Sequence, residues 1–209
     1  MTRPIYTAPI LMSAPMVLAA LRGARGQPGG KTVTRRFPTK AWDALERHFR
    51  DGDRCRLWVR ETWQLWAEYD KFSIMGGNVQ ALDVNYPADG NEWKSQKRPS
   101  IHMPRWASRL TLLDVTVRRE RLGDISEDDA RAEGMFPIHH GDGQYYWHWE
   151  PRDPDRHDWT YPDCAYAALW NHLHGPGAWD RDQDREVMVI GFRTATANID
   201  ALGAGEASA

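Results

Sequence analysis

Gly30-Lys31-Thr32-Val33-Thr34-Arg35-Arg36 sets one lysine and two threonine hydroxyls beside two arginines, directly after a glycine-rich turn. The chain has five lysines against 22 arginines, so Lys31 stands apart from a surface dominated by guanidinium groups. A desolvated lysine gives up its proton, which arginine does not. Two neighbouring guanidinium charges act to lower the Lys31 pKa. A neutral amine near a threonine hydroxyl is a base for acyl transfer. The plain alternative is a surface strand with solvated basic residues. The β-branched alternation of Lys31–Phe37 predicts a strand, and in an ideal strand positions 31 and 34 leave on opposite faces. Lys31 and Thr34 share a site only if the strand opens with a bend or bulge, which the preceding glycines permit.

Outward from this stretch, the pattern alternates strands and helices. Upstream, Ile10-Leu11-Met12 reads as a brief strand after a lead-in over 1–7. Ser13 then reads as the N-cap of a two-turn helix with Val17, Leu18 and Leu21 on its apolar face. Downstream, Thr39 opens a helix carrying Trp42, Leu45 and Phe49. Arg54–Arg60 follows as a half-buried strand, with Cys55, Leu57 and Val59 inward and Arg54, Arg56, Trp58 and Arg60 outward. Leu110–Arg119 is a further strand. Ser126 starts a short helix ending at Glu133-Gly134. Asp163 caps a helix with Tyr166, Leu169, Trp170 and Leu173, and Met188–Phe192 is the last strand. The excursions 64–99 and 135–162 read as irregular, with a short strand at Val79–Val84, and 194–209 reads as a disordered tail. One domain over 1–193 is expected.

A length of 209 residues with 41% apolar content suffices for one core. A formal net charge of −2 argues against a basic surface that binds nucleic acid or anionic membrane all over. With Cys55 and Cys164 as the only cysteines, no disulfide framework and no cysteine zinc site are expected. Ala8–Leu21 is broken by Pro9, Ser13 and Pro15, so it does not read as a signal peptide. No apolar run reaches spanning length. A soluble, cytoplasmic protein is the expectation.

Several residues have functional readings. Glu133, at the C-terminal end of its helix, faces the negative end of the dipole. That raises a carboxyl pKa and suits a proton donor. Arg60 and Glu61 beside Trp63 read either as the lining of a pocket for a planar ligand or as a salt bridge next to a core tryptophan. Arg98–Trp106, with Ser100 and His102, lies in a run holding five lysines and arginines from Lys94 to Arg109. It reads as an anion-contacting patch or as a solvated face. His139, His140, His148 and His157 lack metal-ligand spacing, so neither metal nor cofactor is expected.

The ordered motifs together resemble the ASCH family, in its longer form found in phages and bacterial genomes. They are Pro9–Val17, Gly30–Arg36, Gly52-Asp53 with Leu57–Trp63, Pro99–Arg109, Leu122–Ser126 with Ala130–Gly134, and Leu169-Trp170-Asn171 with the closing strand. The resemblance implies an α+β fold, a PUA-like mixed β-barrel of five or six strands with flanking helices. It also implies an activity, because bacterial ASCH members include amidohydrolases that cut N(4)-acetylcytidine to cytidine and acetate. Their catalytic lysine, threonine and glutamate match Lys31, Thr34 and Glu133; nearby cationic or backbone donors, with Arg36 as a candidate, would stabilise the oxyanion. Arg25–Gly29 looks like an insertion relative to the family.

In the mechanism this implies, neutral Lys31 takes a proton from Thr34 or from a water between them. Glu133 donates toward the leaving amine or orients water for deacylation, and no metal takes part. Arg36, Arg60, Glu61, Trp63, Ser100 and His102 are the substrate-binding candidates for a small-molecule nucleoside. The rival readings are an RNA-binding PUA-like module and a ribonuclease.

Overall fold

The computed structural model describes residues 5–69, 83–91, 93–150, 157–180 and 185–203. In chain order the elements are β1 (Ile5–Leu11), α1 (Ala14–Ala24), β2 (Val33–Arg36), α2 (Lys40–Arg50), β3 (Arg54–Arg60), β4 (Gln64–Leu65) and β5 (Val84–Asn85). Then come β6 (Thr111–Arg121), α3 (Glu127–Ala132), β7 (Phe136–His139), β8 (Tyr145–His148), α4 (Pro162–His174) and β9 (Glu186–Ala195). Five strands make one mixed sheet in the order β1-β3-β6-β9-β2. β1 runs parallel to β3, and the other neighbours are antiparallel. Among the described residues the architecture is therefore α+β, a five-stranded mixed sheet with four α-helices.

The backbone ladder does not close into a barrel among the described residues. β1 and β2 are its two edges. A side chain bridges them instead: Arg36 Nη2 donates to Leu11 O at 2.7 Å. Pro9 is tolerated in β1 because an edge strand need not donate from every position.

Register assigns the helices to faces. Arg35 lies opposite Val189, which lies opposite Arg118. Both arginines reach Asp129 of α3, at 2.7 and 2.6 Å, so α3 covers that face. On the other face Arg36 neighbours Met188 and then Arg119. Arg119 donates to Asp43 and Glu46 of α2 at 2.8 and 2.7 Å, so α2 covers this one. The main core, including Val17, Leu45, Leu57, Leu112, Trp170 and Ile190, fills the space between sheet and helices. A second cluster is formed by Trp63, Leu65, Val84, Met103 and Ala107.

Several elements differ from expectation for tertiary reasons. The lead-in from Ile5 is already strand, because it pairs with β3 from Arg54 onward. β3 is not half-buried: Arg56 is 4% exposed and Trp58 8%. Arg56 is satisfied there by the Leu202 and Gly203 carbonyls, at 3.0 and 3.2 Å. The same contacts, with Ile199 buried and the Asn198 amide donating to three carbonyls, pack residues 196–203 against the domain, where a disordered tail was expected. Residues 135–162 are not wholly irregular, since β7 and β8 form an antiparallel pair. The strand expected at Val79–Val84 lies outside the described residues except for its last two positions, and only Val84 of those is in β5. α4 starts at Pro162 with Tyr161 as N-cap, two residues ahead of the expected cap Asp163.

Candidate active site

Lys31 reaches its position through three glycines. The turn after α1 folds back with Gln27 N donating to Arg22 O at 2.9 Å and Gly30 N to Gln27 O at 3.1 Å. Gly30 then lies against Gly23, where an added Cβ would come within 2.6 Å of the Gly23 Cα. Lys31 N donates to Ala19 O at 2.8 Å and Thr32 N to Ala132 O at 2.8 Å, which ties the start of β2 to α1 and to the end of α3. Gly134 follows Glu133 with φ +100, a left-handed conformation natural to glycine. A Cβ there would lie 2.7 Å from Ala19 Cβ and 3.3 Å from Lys31 Cβ. The Arg25–Gly29 segment is thus absorbed in a surface turn.

The result is a direct contact between Lys31 and Glu133. Lys31 Nζ donates to Glu133 Oε2 and, at 2.9 Å, to the Glu133 backbone carbonyl. Lys31 is 0% exposed and Glu133 2%. Arg35 Nη1 donates to Glu133 Oε1 at 3.3 Å, and the same guanidinium holds Glu120 and Asp129. Tyr166 of α4 is buried near Glu133 and feels its charge. Burial lowers the Lys31 pKa; Glu133 works against that shift, and Arg36 and Arg35 add to it. Burial, and then the Glu133 charge, hold the Tyr166 hydroxyl well above its ordinary value, so it stays a proton donor. Arg35 and Tyr166 were not among the sequence-derived candidates. Arg35 lay inside the quoted stretch, but only the fold of α3 against β2 gives it an acidic partner.

Thr34 is 0% exposed, and its Oγ1 has no hydrogen-bond partner among the described residues. It therefore makes no hydrogen bond to Lys31 or Glu133. β2 pairs regularly with β9, so Thr34 and Arg35 leave the strand on opposite faces. The three residues are not one mutually bonded cluster. They are a contacting acid–base pair and a separate buried hydroxyl.

The remaining candidates divide between a groove and a support. Arg36 and Arg60 line a groove of about 340 Å³ with Pro9, Leu11, Ala41 and Trp42. Glu61 does not pair with Arg60. It accepts two bonds from Arg109, each at 2.9 Å, while Arg109 also holds Asp89 and stacks on Tyr86 at 4.1 Å. Arg60 donates instead to Met103 O at 2.8 Å. Trp63 is 0% exposed in the second core and offers no ring face to a ligand. Ser100 and His102 lie in a 3-10 turn, His102 exposed. The Lys94–Arg109 run is largely neutralised at its end, since Arg105 pairs with Asp200 and Arg109 with Glu61.

Removing the Arg109 guanidinium leaves a buried carboxylate. Arg109→Met should lower stability by about 3 kcal/mol, read as a shift of the urea midpoint at pH 7. An unchanged midpoint would contradict the supporting role given to this pair.

Among the described residues no group of His, Cys, Asp and Glu is placed to hold a metal ion, and no helix is long and apolar enough to cross a membrane. Comparisons with protein-family models, known proteins and solved structures find no match to this chain.

Proposed function

We propose that this chain is an amidohydrolase on a PUA-like scaffold that cleaves the amide of N(4)-acylated cytosine nucleosides, of the N(4)-acetylcytidine type, to cytidine and a carboxylic acid. The observation that carries the reading is the buried Lys31–Glu133 contact with the unpartnered Thr34 hydroxyl three residues along the chain. The Arg36–Leu11 bridge between the sheet edges supports the barrel-like scaffold, since it draws the two edges together.

Amide hydrolysis needs a base for the attacking oxygen and an acid for the departing exocyclic nitrogen. A lysine with a lowered pKa in contact with a carboxyl group supplies both in the neutral form of the pair, the amine as base and the carboxyl as acid. Thr34 is not bonded to Lys31, so its proton passes to the amine through a water. The Thr34 oxygen, or that water, forms the new C–O bond at the acyl carbon. As the C–N bond breaks, Glu133 gives its proton to N4, and the proton taken up by Lys31 restores the pair. If Thr34 carries the acyl group, water then hydrolyses the ester and releases the acid. Arg36 is the nearby cation for the developing oxyanion.

The test is the absorbance change on adding N(4)-acetylcytidine to purified protein. Turnover should survive prolonged chelation, because each step uses side-chain protons. Loss with a chelator and recovery with zinc would rule out this chemistry.

One observation favours a second reading, an RNA-binding module or ribonuclease of the same scaffold. The groove combines the guanidinium groups of Arg36 and Arg60 with the Trp42 indole, a combination suited to phosphate and a stacked base. RNA binding would weaken steeply with salt, whereas hydrolysis of a free nucleoside would not.

A further inference from the structure

The groove lined by Arg36 and Arg60 stands where three strands end. β1 stops at Leu11, β2 at Arg36 and β3 at Arg60, and Leu11 lies opposite Arg60 in the parallel register. The first turn of α2 closes the groove with Ala41 and Trp42. Arg60 is fixed in place, its Nε donating to Met103 O at 2.8 Å and its guanidinium lying over the Trp58 ring at 5.0 Å. Arg36 is held by Leu11 O at 2.7 Å, yet its Nε is buried with no hydrogen-bond partner among the described residues. Buried donors are seldom left unpaired, because their lost hydration is not returned.

Charge sets these two arginines apart. Arg35, Arg109 and Arg119 each hold two or three carboxylates. Arg36 and Arg60 donate only to backbone carbonyls among the described residues. No described carboxylate lines the groove. Asp43, the acid in the first turn of α2, is turned to Arg119 at 2.8 Å instead. Burial lowers the Arg36 pKa, as expected of a cation short of solvent. The groove thus carries two uncompensated positive charges, and the N-terminal end of the α2 dipole adds to them. Its volume of about 340 Å³ is that of a small-molecule site.

We propose that this groove holds a phosphate monoester on Arg36 and Arg60. Resting on the function proposed above, the substrate is then the monophosphate of an N(4)-acylated cytosine nucleoside rather than the free nucleoside. A guanidinium matches phosphate oxygens with paired N–H donors, and two of them neutralise one dianionic monoester. Arg36 links the groove to the acid–base pair, since its charge acts on Lys31 and the Glu133 charge acts on it. It gives one of its N–H donors to Leu11 O, which leaves others for the phosphate and for the developing oxyanion. Trp42 supplies an aromatic wall. A nucleic-acid strand needs a longer track of cations. The chain has a net charge of −2, and in the Lys94–Arg109 run Arg105 and Arg109 are already paired, so the groove suits one phosphate rather than many.

The experiment measures calorimetric binding of cytidine, cytidine 5′-monophosphate and a short oligocytidylate, and hydrolysis of N(4)-acetylcytidine and its 5′-monophosphate, for wild type, Arg60→Gln and Arg60→Lys. Wild type should bind the monophosphate about 10- to 100-fold more tightly than cytidine, the worth of a charge-assisted hydrogen bond. The acetylated monophosphate should lead in kcat/KM by a similar factor. Arg60→Gln should cut the preference by about 10-fold, and Arg60→Lys, which keeps the charge, by less. If Arg60→Gln melts far below wild type, the wild-type preference and the lysine variant decide. A wild type that hydrolyses N(4)-acetylcytidine but binds cytidine and its monophosphate equally overturns the phosphate site and leaves the proposed function standing. So does a preference unchanged in a folded Arg60→Gln. A preference that depends on Arg60, in a protein that hydrolyses neither acetylated compound, keeps the site and overturns the function. Oligocytidylate bound more than about 10-fold more tightly than the monophosphate, with steep salt dependence, overturns the mononucleotide in favour of RNA. A wild type that neither binds nor hydrolyses overturns both.

Discussion

Lys31→Met is expected to reduce turnover by about 10²- to 10⁴-fold, the usual worth of a positioned acid–base group, and to lower stability as well. Methionine matches lysine in length and lacks the charge. A lysine held only by burial would be replaced without loss. Lys31 is instead in contact with Glu133, whose carboxylate would keep Arg35 but lose its closest donor. Removing one partner of a buried pair costs about 3–5 kcal/mol. The remaining Arg35 contact places this case at the lower end of that range.

The pH dependence has a definite sign. Burial lowers the folded-state pKa of Lys31, so the unfolded chain holds that proton more tightly. Stability then rises with pH from the folded pKa up to the unfolded value, about 10.4. Lys31→Met lacks this slope. The gap between wild-type and variant melting temperatures should therefore widen from neutral pH toward pH 10. A gap that stays constant would show that Lys31 is not desolvated, and retained activity would remove it from the mechanism.

Gly134→Ala is expected to damage stability and activity together, although the change adds only one methyl group. The residue has φ +100, and its Cβ would meet Ala19 Cβ at 2.7 Å and Lys31 Cβ at 3.3 Å. Strained backbone and overpacking each cost about 1–3 kcal/mol. A combined loss of about 3–5 kcal/mol corresponds to a fall in melting temperature of roughly 10 °C or more for a chain of this size. Because Glu133 precedes Gly134, relief of the clash moves the carboxylate away from Lys31, and kcat falls with stability. A variant that melts within a degree or two of wild type and turns over normally would contradict the close packing of these segments.

β3 and the starts of α2 and α3 were legible in the sequence because their signals are local, whereas most of β1 was not, since its strand depends on pairing with β3. β3 was read at Arg54–Arg60 from its alternation. The short α3 was read from Ser126, whose hydroxyl accepts from Asp129 N at 3.1 Å. Thr39 likewise accepts from Trp42 N at 3.5 Å at the start of α2. Lys31, Glu133 and the glycines between the helix and the strand could be singled out because few residue types suit a buried base, a helix end or a left-handed turn. Only the tertiary structure could decide which groups meet. Glu61 takes Arg109, 48 positions away, over its neighbour Arg60, because a buried carboxylate is satisfied by whatever donor the fold brings to it. Lys31 and Glu133 are 102 positions apart, and their contact depends on three glycines that let α1, β2 and the end of α3 approach closely. The opposite faces of Thr34 and Arg35 follow from the regular pairing of β2 with β9, which alternation anticipates but only a partner strand enforces.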